Sequence, residues 1–192
     1  MFDAARRNNV YVVEAYPYRA QPQTIKLQEL LRAKAIGRLH LVLASFCFLM
    51  TDTSNIRFNP TLAGGSLMDA GSYPISLTRM IAGERALRVH ATARMAETGV
   101  DRTVVGSLEF PGGLLAQISC SFATVRYRQA HIVGEAGLIE KPMSPSRGRI
   151  SSIFGWSHSA LATRPARSGD LRAVSASCKV RAFGQALTCR SP

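Results

Sequence analysis

The sequence predicts an α+β fold in which helices lead and a mainly antiparallel open sheet follows, the helices packing on one face. Three observations carry this. Apolar residues recur at helical spacing in Leu27, Leu30 and Leu31, and again in Leu67, Gly71, Ile75 and Thr78. Period-two alternation runs through residues 87–95 and 114–122. Pro111-Gly112-Gly113 joins two of the strands as a tight hairpin signal.

Taken in order, residues 2–8 read as the end of a helix and Val10 to Ala15 as a short buried strand. Thr24 can cap a helix carrying the Leu27, Leu30, Leu31 stripe, with Gly37 as its stop signal. Leu39 to Leu49 is a long strand, apolar on both faces apart from His40 and Ser45, as a strand covered on both sides would be. Asn55 to Gly65 is a loop. Ser66 then opens a helix, with Asp69 three residues on completing a capping-box-like pair. The strands Leu87–Met95, Thr103–Phe110, Leu114–Phe122 and Gln129–Val133 form an antiparallel meander, and a short strand follows from Leu138 to Glu140.

Charge divides the chain near residue 143. The formal net charge is +12 over 192 residues, and residues 143–192 contribute most of it, with eight basic side chains against Asp170 alone. Ser, Arg and Ala supply 24 of those 50 residues, a composition shared by disordered segments and by out-of-frame readings of GC-rich genes. A basic tail binds phosphates non-specifically, but this one has few aromatics for stacking, so no specific nucleic-acid partner is expected. Cys47, Cys120, Cys178 and Cys189 are scattered without metal-ligand spacing, and no metal site is expected. The longest apolar run, Leu41 to Met50, is about half a membrane span. No apolar segment follows the first charges, so no signal peptide is read and the expected compartment is the cytoplasm.

Four stretches, in this order and spacing, resemble the glucose–fructose oxidoreductase/inositol dehydrogenase (Gfo/Idh/MocA) family. They are Glu14-Ala15-Tyr16-Pro17-Tyr18-Arg19 with Pro22, Ala35-Ile36-Gly37-Arg38-Leu39, Gly64 through Pro74, and Ile132 through Glu140. The third is the most specific, placing two glycines, an acid and an aromatic at the opening of a helix. Tyr at position 73 is similar to the branch of xylose and dihydrodiol dehydrogenases. The resemblance covers residues 4–142 and implies the family's C-terminal domain. On this reading residues 1–15 are a remnant of the end of a dinucleotide-binding domain, 16–142 form the substrate and oligomerisation domain, and 143–192 are the tail.

The family transfers a hydride between a CH–OH carbon of a sugar or diol and NAD(P), which needs an acid or base at the alcohol oxygen. The resemblance gives that role to Tyr73, with Asp69 supporting it or binding substrate. Arg19 is placed at the cofactor and Arg57 at the substrate. Alternatively, Asp69 only caps its helix, Tyr73 only packs, Arg19 pairs with Glu14, and Arg57 is a solvated surface charge. The family's Glu-Lys-Pro motif lies upstream of the Tyr-Arg segment, so Glu140-Lys141-Pro142 is not assigned its role.

No GxGxxG turn occurs in the sequence, so the N-terminal Rossmann domain is read as absent. The chain alone is therefore expected to bind NAD(P) weakly and to turn nothing over. A non-catalytic binding or oligomerisation module that kept the sheet is the second reading. The face carrying Val105, Leu115 and Gln117 is expected to form a homo-oligomer contact.

Overall fold

The computed structural model describes residues 1–143, together with 179–182 and 185–188. Expectations for the remainder of the basic tail lie outside the described residues. Among the described residues three α-helices are found, α1 (Phe2–Arg7), α2 (Pro22–Arg32) and α3 (Ser72–Ala82). The strands are β1 (Leu39–Leu49), β2 (Arg88–Met95), β3 (Asp101–Glu109), β4 (Leu115–Ser121), β5 (Ala123–Gly134) and β6 (Gly137–Pro142), with β7 (Lys179–Ala182) and β8 (Gln185–Thr188) further on. They form one sheet in the order β2-β3-β4-β1-β5-β6-β7-β8.

β1 enters this sheet between β4 and β5, parallel to β4 and antiparallel to β5. The meander expected from residue 87 onward is therefore interrupted, because its third and fourth strands are separated by the earliest one. The inward residues of β1, Val42, Ala44, Phe46 and Phe48, suit this central place under the helices. Its other face, with Leu41, Leu43 and Ser45, is only partly buried, so the expected cover on both sides is not found among the described residues. A strand flanked by two neighbours, with helices above it, sits where polar side chains are costly.

Register sorts the side chains into two faces. Val42, Ala44, Ala116, Ile118, Ala130, Ile132 and Ile139 point toward the helices and form one core with Leu27 of α2 and Leu77 and Ile81 of α3. A smaller core joins Phe58, Ala70, Val104, Cys120 and Phe122. The opposite face carries Leu43, Ser45, Val105, Leu115, Gln117, Tyr127 and His131, and none of the three helices packs on it. Edge strand β2 is exposed along its whole length. Its Val89 and Met95, on the apolar side of the alternation, extend past the helices that cover the central strands.

Three local expectations are corrected. Val10–Ala15 forms no strand; Val10 N–H bonds back to Ala5 O in a helix-ending turn, and Tyr11 is 98% exposed. An apolar run becomes a strand only when a neighbour supplies ladder partners, and none lies beside it among the described residues. Thr24 does not cap α2. The helix starts at Pro22, whose fixed φ and missing N–H suit the first helical position, and Thr24 is buried inside the first turn. Ser66 and Asp69 do not form a capping box, as set out below.

The two family-like stretches around residues 36 and 134 meet in space. Glu135 N–H bonds Arg38 O and Ala136 N–H bonds Ile36 O. A Cβ at Gly134 would run into the Ile36 carbonyl oxygen, so glycine there lets β5 close against the entry to β1. Among the described residues no helix is long and apolar enough to cross a membrane.

Candidate functional site

The site is organised by an irregular turn at the start of α3. Leu67–Gly71 forms a π-helical turn, which then becomes the regular α3. The wider turn shifts the phase of the helix, so that Gly71, Pro74, Leu77, Thr78 and Ile81 face the sheet. Ile75, expected on the buried stripe, is half-buried: it packs against the core and also lines an outer groove. Single π turns inside helices recur at functional sites because they re-aim side chains.

The N-terminus of this turn is capped from a distance. Asp101, at the start of β3, accepts from the Ser66 hydroxyl and the Leu67 N–H, both at 2.7 Å. Asp101 thus does the work that sequence spacing assigned to Asp69, and Asp69 is released from capping. Gly65 stands against this carboxylate with φ +117, a conformation that side chains rarely adopt. Gly64 is equally confined, since a Cβ there would lie 2.6 Å from Arg57 O and 2.8 Å from Asn59 O. The two glycines let the loop carrying Arg57 fold back onto the turn.

That loop brings Arg57 to Asp69. Their ion pair measures 2.8 Å between Arg57 Nε and Asp69 Oδ2, with side chains 39% and 33% exposed. Asn55 Oδ1 accepts from the Arg57 N–H at 3.1 Å and so fixes the loop beneath it. Arg57 is thus a partly exposed arginine held in an ion pair with Asp69.

Tyr73 is half-buried in an aromatic cluster. Its ring stacks on Phe46 of β1 at 4.8 Å, meets Tyr16 edge-on at 5.6 Å and lies 6.2 Å from Tyr18. Its hydroxyl makes no hydrogen bond among the described residues, which leaves it open to a ligand. Arg128 of β5 lies over the other aromatics of this shelf, 4.2 Å from Phe46 and 5.2 Å from Phe48. Its sequence signal was present: Arg128 occupies the inward phase of a strand that continues with Ala130 and Ile132. The sequence reading began that strand only at Gln129.

Arg19 lies on the other flank. It donates to the Ser76 hydroxyl at 3.2 Å, and the same hydroxyl meets Tyr18 Oη at 2.8 Å. No ion pair with Glu14 is found among the described residues. Arg19, Tyr16, Ser72, Ser76 and Arg79 edge an open groove of about 1100 Å³ floored by Met68, Ile75 and Met80. Lys141 is 1% exposed, its Nζ 5.6 Å from the Tyr18 ring and 3.4 Å from Pro142 O. Sequence spacing set this lysine aside, and nothing in its position along the chain signalled burial behind the tyrosines.

Cys120 forms the floor beneath the π turn, its Sγ 3.6 Å from Ser66 Oγ. Burial pushes its thiol from an ordinary 9.0 up to about 11, and also raises that of Cys47. A thiol whose folded-state pKa is raised stabilises the fold fully below pH 9, and that contribution is lost between pH 9 and about 11. Iodoacetamide at neutral pH is therefore expected to leave both cysteines unmodified until denaturant is added. Labelling mapped to Cys47 or Cys120 in the native chain, distinguished by peptide analysis from Cys178 and Cys189, would contradict this burial.

Three comparisons converge on this domain. A family model described as GFO/IDH/MocA C-terminal domain matches residues 24–140. The chain is 34% identical over 143 residues to a trans-1,2-dihydrobenzene-1,2-diol dehydrogenase of Danio rerio, covering 74% of this chain and 42% of that protein. It is 34% identical over 142 residues to a D-xylose 1-dehydrogenase (NADP(+)) of Haloferax volcanii, covering 73% and 43%. It thus spans about two-fifths of the length of these curated relatives. Among solved structures, the aldose-aldose oxidoreductase of Caulobacter crescentus superposes with a TM-score of 0.74 at 22% identity, covering 100% of this chain and 51% of that one. The 3-ketoreductase KijD10 of Actinomadura kijaniata also gives 0.74, at 18% identity over 100% and 52%. These two likenesses are of fold.

Proposed function

Because the chain belongs to the GFO/IDH/MocA C-terminal domain family, we propose that residues 16–142 are the substrate side of an NAD(P)-dependent oxidoreductase acting on the CH–OH group of a sugar or diol. Residues 1–15 correspond to the end of a dinucleotide-binding unit. The observation that carries this reading is the Tyr73 side chain, packed among three aromatic rings with its hydroxyl unpartnered among the described residues, four positions along the chain from the ion-paired Asp69.

In this mechanism Tyr73 Oη exchanges the proton of the reacting hydroxyl. Asp69 accepts hydrogen bonds from neighbouring hydroxyls, and Arg57 fixes its orientation. The aromatic rings keep Tyr73 in one rotamer and exclude water from one side of the reacting carbon. NAD(P), when bound, supplies the hydride acceptor. The described residues fit one wall of a nicotinamide site, namely the groove edged by Arg19, Ser72 and Ser76 over an apolar floor. They offer no glycine-rich turn for the pyrophosphate.

Two titrations of the purified chain test the reading. NADPH fluorescence is expected to show no saturable binding in the micromolar range. D-xylose or a cyclic diol is expected to shift the ring resonances of Tyr73, and Asp69→Asn to weaken that binding about tenfold, as loss of a charged hydrogen-bond partner does. Absence of any polyol effect on Tyr73 would refute the substrate-side assignment.

A second role, as an oligomerisation module, rests on the sheet face that no described helix covers. Val105 and Leu115 are 44% and 50% exposed there, beside a shallow recess lined by Leu43, Gln117, Tyr127 and His131. An uncovered face of this kind favours self-association. Sedimentation of the chain is expected to show a dimer that Leu115→Arg converts to monomer. A monomeric parent chain would eliminate this role.

A further inference from the structure

Arg128 is a half-buried cation with no anion paired to it among the described residues. Its Nε is shielded from solvent and makes no hydrogen bond. Among the described residues no carboxylate lies within ion-pair distance of it, because Asp69, the acid facing this shelf, is already engaged by Arg57 at 2.8 Å. The guanidinium carbon instead lies over the Phe46 and Phe48 rings, 4.2 and 5.2 Å from their centroids. Phe46 in turn stacks on Tyr73. One ring therefore separates the cation from the side chain proposed to meet the reacting hydroxyl.

Ring faces satisfy a guanidinium from above but leave its in-plane N–H fork free. That fork matches the two oxygens of a carboxylate or the edge of a phosphate. The electrostatics agree: burial first, and then the neighbouring Arg126 charge, push the Arg128 guanidinium below its ordinary value. The charges of Asp69 and Tyr73 oppose this without cancelling it. A bound oxyanion would remove the imbalance.

We infer that Arg128 on its Phe46–Phe48 shelf forms an oxyanion subsite beside Tyr73, and that the hydroxylated substrate carries a carboxylate or phosphate group a few bonds from the reacting carbon. The inference rests on the substrate-side reading above and narrows its substrate class from sugars and diols in general to acidic ones. Asp69 and Arg57 then address the hydroxyls, while Arg128 addresses the acid group and sets which hydroxyl faces Tyr73.

The test is a set of titrations of the 192-residue chain with D-glucose, D-glucuronate and D-glucose 6-phosphate, followed through the Tyr73 ring resonances. At least one acidic ligand is expected to bind about tenfold or more tightly than glucose, the size of a charged hydrogen-bonded contact. Glucuronate binding alone identifies a carboxylate, and phosphosugar binding alone a phosphate. In Arg128→Met the acid-to-neutral affinity ratio should fall toward one, whereas Arg128→Lys should keep part of it. Raising the ionic strength on the parent chain should also compress the ratio, a readout that needs no variant to fold. Equal affinity for glucose and both acidic ligands would overturn this inference and leave the substrate-side reading standing. So would an acid preference that survives Arg128→Met. Failure of all three ligands to bind would overturn both.

Discussion

Alanine at position 65 is expected to destabilise the domain by about 3 kcal/mol, combining backbone strain with the loss of a buried cap. Gly65 has φ +117, and its missing Cβ is what admits Asp101 Oδ1. A methyl group there must push Asp101 away from the Ser66 hydroxyl and the Leu67 N–H, two hydrogen bonds of 2.7 Å. Those donors would be left unsatisfied under the π turn. Thermal unfolding should fall by roughly 10 °C for a domain of this size. The polyol response of Tyr73 should fall with it, since the π turn sets the direction of Asp69 and Tyr73. The cycle with Asp101→Ala checks the cause. Asp101→Ala alone removes the cap, and the double variant should be less unstable than the sum of the two, because the collision vanishes with the carboxylate. Simple additivity would mean that the two residues do not act through each other.

Phe122→Ala is expected to cost about 3–5 kcal/mol, as removal of a fully buried phenyl ring does. Phe122 is wholly buried, 5.2 Å from Phe48 and 5.8 Å from Phe58. It sits between β4 and β5 and supports both the Arg128 shelf and the loop that carries Arg57. The expected signature is a lowered urea midpoint with an unchanged slope. In addition, the resonances of Phe58 and Arg57 should broaden before the rest of the domain unfolds. Loss of less than about 1 kcal/mol would show that the cavity collapses and that the ring does not carry the loop.

The sheet was largely legible because alternation is a local property. Leu114, Ala116, Ile118, Cys120 and Phe122 can be assigned to the inward face without knowing what covers them. Strand order was not legible, since nothing local to β1 says that it enters between β4 and β5. Helix ends were misread where the partner is distant in sequence: Asp101 caps the turn at Ser66 from the far side of α3, while the nearby Asp69 only satisfies the spacing rule. Val10–Ala15 shows the converse error, strand character without a neighbour to pair with. Asp69 and Tyr73 could be named from one stretch of chain, and the structure gathers Arg57 with them. Arg128, Phe46 and Lys141 had no such stretch. They reach the same place through sheet register and burial, which become visible only once the strands are ordered.

The position of β1 also bears on synthesis. Ser45 meets Ser119 across 74 residues of chain, and the β5 partners of β1 come later still. Until those strands leave the ribosome, this eleven-residue apolar segment has no ladder to join. The nascent domain thus holds its most aggregation-prone segment open until its last central strand is made. Pausing or truncation between β1 and β4 should produce a species captured by trigger-type chaperones, whereas release after β5 should yield a chain that closes on its own.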